Sequence, residues 1–191
     1  MFNKWINEPK YFNKEKETII IESDAKTDFF VAPASDYLAH NAPIYAFDVQ
    51  GDFTLECKVR PDFKAYYDAG AMMFYVDEKA WIKFAFESTD IGHPAVVSVV
   101  TDGASDDANG EKVDSPSIWM KLSKKDKVIG LYFSHDALEW RMVRLFQFDV
   151  KNLDKASVGL EAQSPAGLGC KVAFSDIKYT DKAVEDMRKG I

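Results

Sequence analysis

Apolar and polar positions alternate with a period of two along most of the chain, the mark of strands that bury one face. The pattern is clearest in Phe53–Val59, where Phe53, Leu55, Cys57 and Val59 take one phase and Thr54, Glu56 and Lys58 the other. Trp81–Glu87 repeats it, with Ile82, Phe84 and Phe86 set against Trp81, Lys83, Ala85 and Glu87. Shorter strand-like runs are Thr18–Glu22, Phe29–Val31, Ile44–Val49, Gly70–Val76, Val96–Thr101 and Ile118–Leu122. Further along come Lys127–Ser134, Glu139–Phe146, Val158–Gln163 and Lys171–Tyr179. Turn residues such as Gly51-Asp52, Asp77-Glu78-Lys79, Pro94 and Pro165 separate them. About a dozen strands with short turns and no long amphipathic helix predict a single all-β domain over residues 1–191, a sandwich or a barrel. Residues 1–16 and Leu38–Pro43 carry no strand signal. Asp102–Ser117, containing DGASDDANG, reads as one long polar loop. Asp181–Arg188, capped by Thr180 or Asp181 and stopped at Gly190, predicts a short helical tail near 181–189.

Composition sharpens this picture. With 14 Phe, 8 Tyr and 4 Trp, the chain is rich in residues that suit sheet-on-sheet packing. A net charge of -7 argues against nucleic acid and against a polybasic membrane contact. No run of about 20 apolar residues is present, so no membrane span is expected. The opening MFNKWINEP lacks the pattern of a secretory signal, and a cytoplasmic location is the expectation. Cys57 and Cys170 lie in strand-like runs and read as two buried free thiols. No phosphate-binding loop occurs, because Gly167-Leu168-Gly169 sits between two strands; no cofactor is expected. No pattern in the chain sets an oligomeric state.

Long ordered segments resemble one family. They include NEPKYF (Asn7–Phe12), DFFVAP (Asp28–Pro33), YYDAGAMMFYVDEKAWIKFAFE (Tyr66–Glu87) and VVSVVTDGASD (Val96–Asp106). FSHDALEWRMVRL (Phe133–Leu145) and VGLEAQSPAGLGCKVAFSDI (Val158–Ile177) complete the set. Together they resemble a biochemically uncharacterised family that includes the fungal proteins named "regulation of enolase". The resemblance implies a two-sheet antiparallel sandwich, the concanavalin A-like jelly roll of lectins and glucanases. Two positions depart from the family pattern. Ser105-Asp106-Asp107-Ala108 lacks the tryptophan common in that loop, and Asp136-Ala137 replaces an Asp-Gly turn.

Candidate chemistry centres on the polar phase of the Trp81 strand. Trp81, Lys83 and Glu87 would share one displayed face, concave in a jelly roll. Trp119 and Lys121 form a second Trp-x-Lys pair, and Arg144 would add a cation, favoured by its Arg-Leu context in the resembling family. Aromatic faces with charged groups suit a carbohydrate or small polyol, bound without catalysis. The same residues would equally serve as cross-strand pairs. Two other readings are a module that meets a protein partner or regulates metabolism, and a glycoside hydrolase with Glu87 as one carboxylate. A hydrolase needs two carboxyls across the scissile bond. Glu87 is the only acid in its strand, while Asp90, Glu139 and Glu161 lie elsewhere with nothing to position them. His40, His93 and His135 are scattered, so no metal site is expected; the acids of residues 102–114 read as a solvated loop, with calcium as the alternative.

Overall fold

The alternating runs become sixteen strands in a computed structural model that describes residues 1–191. In chain order they are β1 (Lys4–Ile6), β2 (Tyr11–Glu15), β3 (Thr18–Glu22), β4 (Phe29–Val31), β5 (Leu38–His40) and β6 (Ile44–Asp48). Next come β7 (Phe53–Pro61), β8 (Ala69–Asp77), β9 (Ala80–Ser88), β10 (Pro94–Asp102) and β11 (Ala104–Lys112). The last are β12 (Ile118–Lys125), β13 (Val128–Ser134), β14 (Arg141–Gln147), β15 (Ser157–Gln163) and β16 (Lys171–Thr180). They form two seven-stranded antiparallel sheets, ordered β1-β6-β15-β8-β9-β10-β11 and β14-β13-β12-β7-β16-β3-β2. A two-stranded hairpin, β4-β5, stands apart. The fold is the expected antiparallel sandwich.

The main core lies between the sheets. Phe84 and Phe86 of β9 and Phe74 of β8 meet Leu55 of β7, Leu122 of β12 and Phe174 of β16, all fully buried. A second apolar cluster covers the opposite face of the first sheet. It joins Phe29 of the hairpin to Ile44, Met73, Trp81, Ala85 and Val99. The first sheet is therefore buried on both faces along β8 and β9, and this explains why GAMMFYV shows no alternation.

Four expectations need correction. Residues 104–112 are not a loop but the edge strand β11, paired with β10 around Gly103 at φ 78°. Asp, Asn and Gly have poor strand propensity, yet an edge strand needs one partner only and tolerates charge. β1 and β2 occupy the N-terminal stretch, pinned by Trp5 stacking on Tyr45 at 4.5 Å. Leu38–His40 is a strand because it folds back on Phe29–Val31. The tail near 181–189 holds no helix. It lies as turns across the outside of the second sheet, where Thr54 Oγ1 donates to the Lys182 carbonyl and Tyr132 Oη to the Met187 carbonyl. Those external partners replace the i→i−4 ladder that so short a helix would barely sustain.

Candidate functional site

β9 aims alternate side chains at opposite faces, so Trp81, Lys83, Ala85 and Glu87 leave the main core together, as expected. Neighbouring strands complete the face. Glu87 stands opposite Ala69, which stands opposite Gln163; Ala85, Ala71 and Glu161 form the next row. On the other side, Lys83 faces Val99, which faces Asp107, and Ala85 faces Val97 and then Asn109. The small Ala69, Ala71 and Ala85 between polar residues leave room above the sheet. A cavity of about 540 Å³ opens there. The hairpin contributes Asp28, Phe30 and Tyr37 to its wall, and Tyr67 and Asp90 come from flanking loops.

Lys83 is the electrostatic centre. It is 2% exposed, and its Nζ donates to Asp28 Oδ1 at 2.8 Å and to Gln163 Oε1 at 2.7 Å. Burial opposes a charge on Lys83, but the carboxyls of Asp28, Glu161 and Glu87 together hold its pKa above the ordinary value. Asp28 also accepts from the Phe29 amide and from Tyr37 Oη, so the ion pair ties the hairpin to the sheet. Gln163 passes the network on through Nε2, which donates to the Tyr67 carbonyl at 2.9 Å.

Two acids have no such partners. Glu87 lines the cavity at 8% exposure with no hydrogen bond from the protein, and burial pushes its pKa up to about 8. Glu161 is fully buried, both its oxygens lack a donor, and burial likewise raises it to about 8. In each, the Lys83 ammonium lowers the value but does not outweigh desolvation. Both carboxyls thus keep protons in the folded chain that the unfolded chain releases near pH 4.5. Proton binding that favours the folded state makes stability fall as pH rises from about 4.5 through about 8. Chemical denaturation at a series of pH values is expected to show that decline. Glu161→Gln, uncharged at every pH, flattens it and leaves the variant more stable than the parent above pH 8 or so. An undiminished slope in the variant would remove Glu161 from this role.

The sequence-chosen residues divide four ways. Lys83 and Glu87 meet in the cavity. Trp81 shares their face but is fully buried in the second cluster, edge-on to Phe29, and does not line the cavity. Trp119 and Lys121 lie in the other sheet, on its outward face, away from Lys83 and Glu87. There Lys58 sits 5.9 Å from the Trp119 ring centre. Lys121 lies 3.2 Å from Glu56, 3.8 Å above the Trp140 ring, and donates to the Gly190 carbonyl. A period of two assigns a face, not a sheet, so the two Trp-x-Lys pairs share phase but not location. Arg144 is also elsewhere. A bulge shifts the β13–β14 register between Met142 and Arg144, so Arg144 is turned toward the edge between the sheets and bridges to Asp106 of β11 at 3.0 Å.

Asp28, Gln163, Tyr37 and Glu161 complete the site beyond the chosen set. Glu161 and Gln163 had a signal: with Ser157 they are the polar residues of one phase in a strand whose other phase, Val158, Leu160 and Ala162, is apolar. Asp107 and Asn109, expected in a solvated loop, line the cavity from β11. No three His, Cys, Asp or Glu side chains converge to hold a metal ion. Both cysteines are free and buried, and burial pushes each thiol pKa up.

Comparison with known proteins places this geometry in context. The chain is 28% identical over 187 residues to "Regulation of enolase protein 1" of Saccharomyces cerevisiae, covering 96% of this chain and 93% of that protein. A solved structure of a functionally unknown protein from Saccharomyces cerevisiae superposes with a TM-score of 0.87 at 28% identity, covering 96% of this chain and 97% of that one. The carbohydrate binding module CBM66 from Bacillus subtilis matches at TM-score 0.58 and 14% identity, over 93% of this chain and 96% of that one, a likeness of fold alone. A family model described as "Protein of unknown function (DUF1349)" matches residues 5–182, and the chain belongs to that family.

Proposed function

We propose that the protein binds a carbohydrate or small polyol, without catalysis, in the cavity over β9 and β15. The observation that carries this reading is the lining itself. The Tyr37, Tyr67 and Phe30 rings stand beside Lys83, Glu87, Gln163 and Asn109, in a volume of about 540 Å³ that suits a small ligand. Aromatic rings meet the C–H faces of a sugar, and the polar groups meet its hydroxyls. Glu87 arrives with unused hydrogen-bonding capacity, which a hydroxyl pair would satisfy. A fold shared with a module named for carbohydrate binding agrees with the reading at the level of architecture.

The hydrolase reading gains a second acid on the same face, Glu161, but not the required ionisation. Glycosidases need one carboxyl ionised and one protonated. Both Glu87 and Glu161 are raised to about 8, so at neutral pH that pair supplies acids and no base. Catalysis by Glu87 with Glu161 is therefore not expected, and release of nitrophenol from aryl glycosides that disappears in Glu161→Gln would restore that reading.

A thermal-shift series with neutral monosaccharides and polyols tests binding. A ligand that binds only the folded state raises the midpoint with concentration. The shift should shrink in Tyr67→Ala and Gln163→Ala. Failure of every sugar to shift the midpoint at millimolar concentration would sink the proposal and favour a protein partner instead.

A further inference from the structure

The cavity carries more acid than its one base can answer. Asp28, Glu87, Asp90 and Asp107 line it, and Lys83 is the single cationic side chain among the lining residues. Lys83 is already committed to Asp28 and Gln163. Glu87, Asp90 and Asp107 take part in no ion pair, and the acids that crowd Glu87 are Asp28, Asp107 and Asp90. Glu87 is also a buried side chain in the wall with no hydrogen bond to the protein. These carboxyls do not converge closely enough to chelate a metal ion. A group of carboxyls spread around a cavity with aromatic walls matches an organic cation better than an inorganic one. An ammonium gains from the carboxyls by charge-assisted hydrogen bonds and from the Tyr37, Tyr67 and Phe30 faces by cation–π attraction. A phosphate or carboxylate on the ligand would meet repulsion instead.

We infer that the preferred ligand is an amine-bearing sugar or polyol, its ammonium set between Asp90 and Asp107 and its hydroxyls toward Lys83, Glu87, Gln163 and Asn109. This rests on the sugar-binding reading of the same cavity and narrows it to a charge class.

The test is calorimetric titration at low ionic strength with matched sets. Glucosamine, galactosamine and mannosamine are each compared with the parent hexose, the N-acetyl derivative and the hexose 6-phosphate. One amino sugar should bind about tenfold more tightly than its neutral parent and its N-acetyl form, the order of one good ion pair. That preference should fall in 0.5 M salt and be largely lost in the Asp90→Asn, Asp107→Asn double variant. If a neutral sugar binds as well as its amine, or a phosphate binds better, the inference is overturned while sugar binding stands. If no member of any set binds, both fall.

Discussion

Trp81→Ala should lower stability by about 3–5 kcal/mol, the usual cost of truncating a buried large aromatic residue. The sequence makes Trp81 look like a stacking platform for a ligand. Its position in the structure gives it a different task. The indole is fully buried between the sheet and the hairpin, within 5.8 Å of the Phe29 ring centre. Removing it empties the middle of the cluster that fastens β4–β5 to the first sheet. The wall residues Asp28, Phe30 and Tyr37 belong to or flank that hairpin, so sugar binding should weaken with the fold. Trp81→Phe is expected to cost clearly less. It keeps most of the apolar volume, and the indole Nε1 has no acceptor to lose. Urea titrations of both variants read this directly. A stable Trp81→Ala that has lost ligand binding alone would restore the platform role.

Lys83→Met should be comparably damaging, at about 3–5 kcal/mol. The Lys83–Asp28 pair is among the most buried in the molecule, with side chains 3% and 10% exposed. Taking away the ammonium leaves the Asp28 carboxyl without its cation in a poorly solvated wall and leaves Gln163 Oε1 without its donor. Glu87 and Glu161 also lose the one charge that favours their ionised forms, so both move further upward. The test is a double-mutant cycle. Lys83→Met with Asp28→Asn should be less destabilised than the sum of the two single variants, because the second change removes the stranded carboxyl. Additive losses would mean that the pair is not an energetic unit.

Much of this was legible in the chain, and the gaps have physical causes. β7 and β9 announce themselves because each sends one strictly apolar phase into the main core. The opposite phase of β9 correctly brought Lys83 and Glu87 to one face. What alternation does not encode is the strand's sheet, so Trp119 and Lys121 share the spacing of Trp81 and Lys83 yet lie on the other side of the sandwich. Nor does it survive a bulge, and one extra residue in β14 sent Arg144 to the edge beside Asp106. β11 stayed hidden because an edge strand is free to be acidic. Asp28 gave no signal of its own; its role depends on a hairpin that closes over β9 from about fifty residues upstream.

An ¹⁵N–¹H correlation titration with the tightest-binding sugar locates the ligand on the molecule. Shifts should gather at Tyr67, Lys83, Glu87, Asn109 and Gln163, and the amides around Trp119 and Lys121 should stay still. Shifts confined to that second surface, or none at saturating sugar, would contradict a binding cavity over β9 and β15.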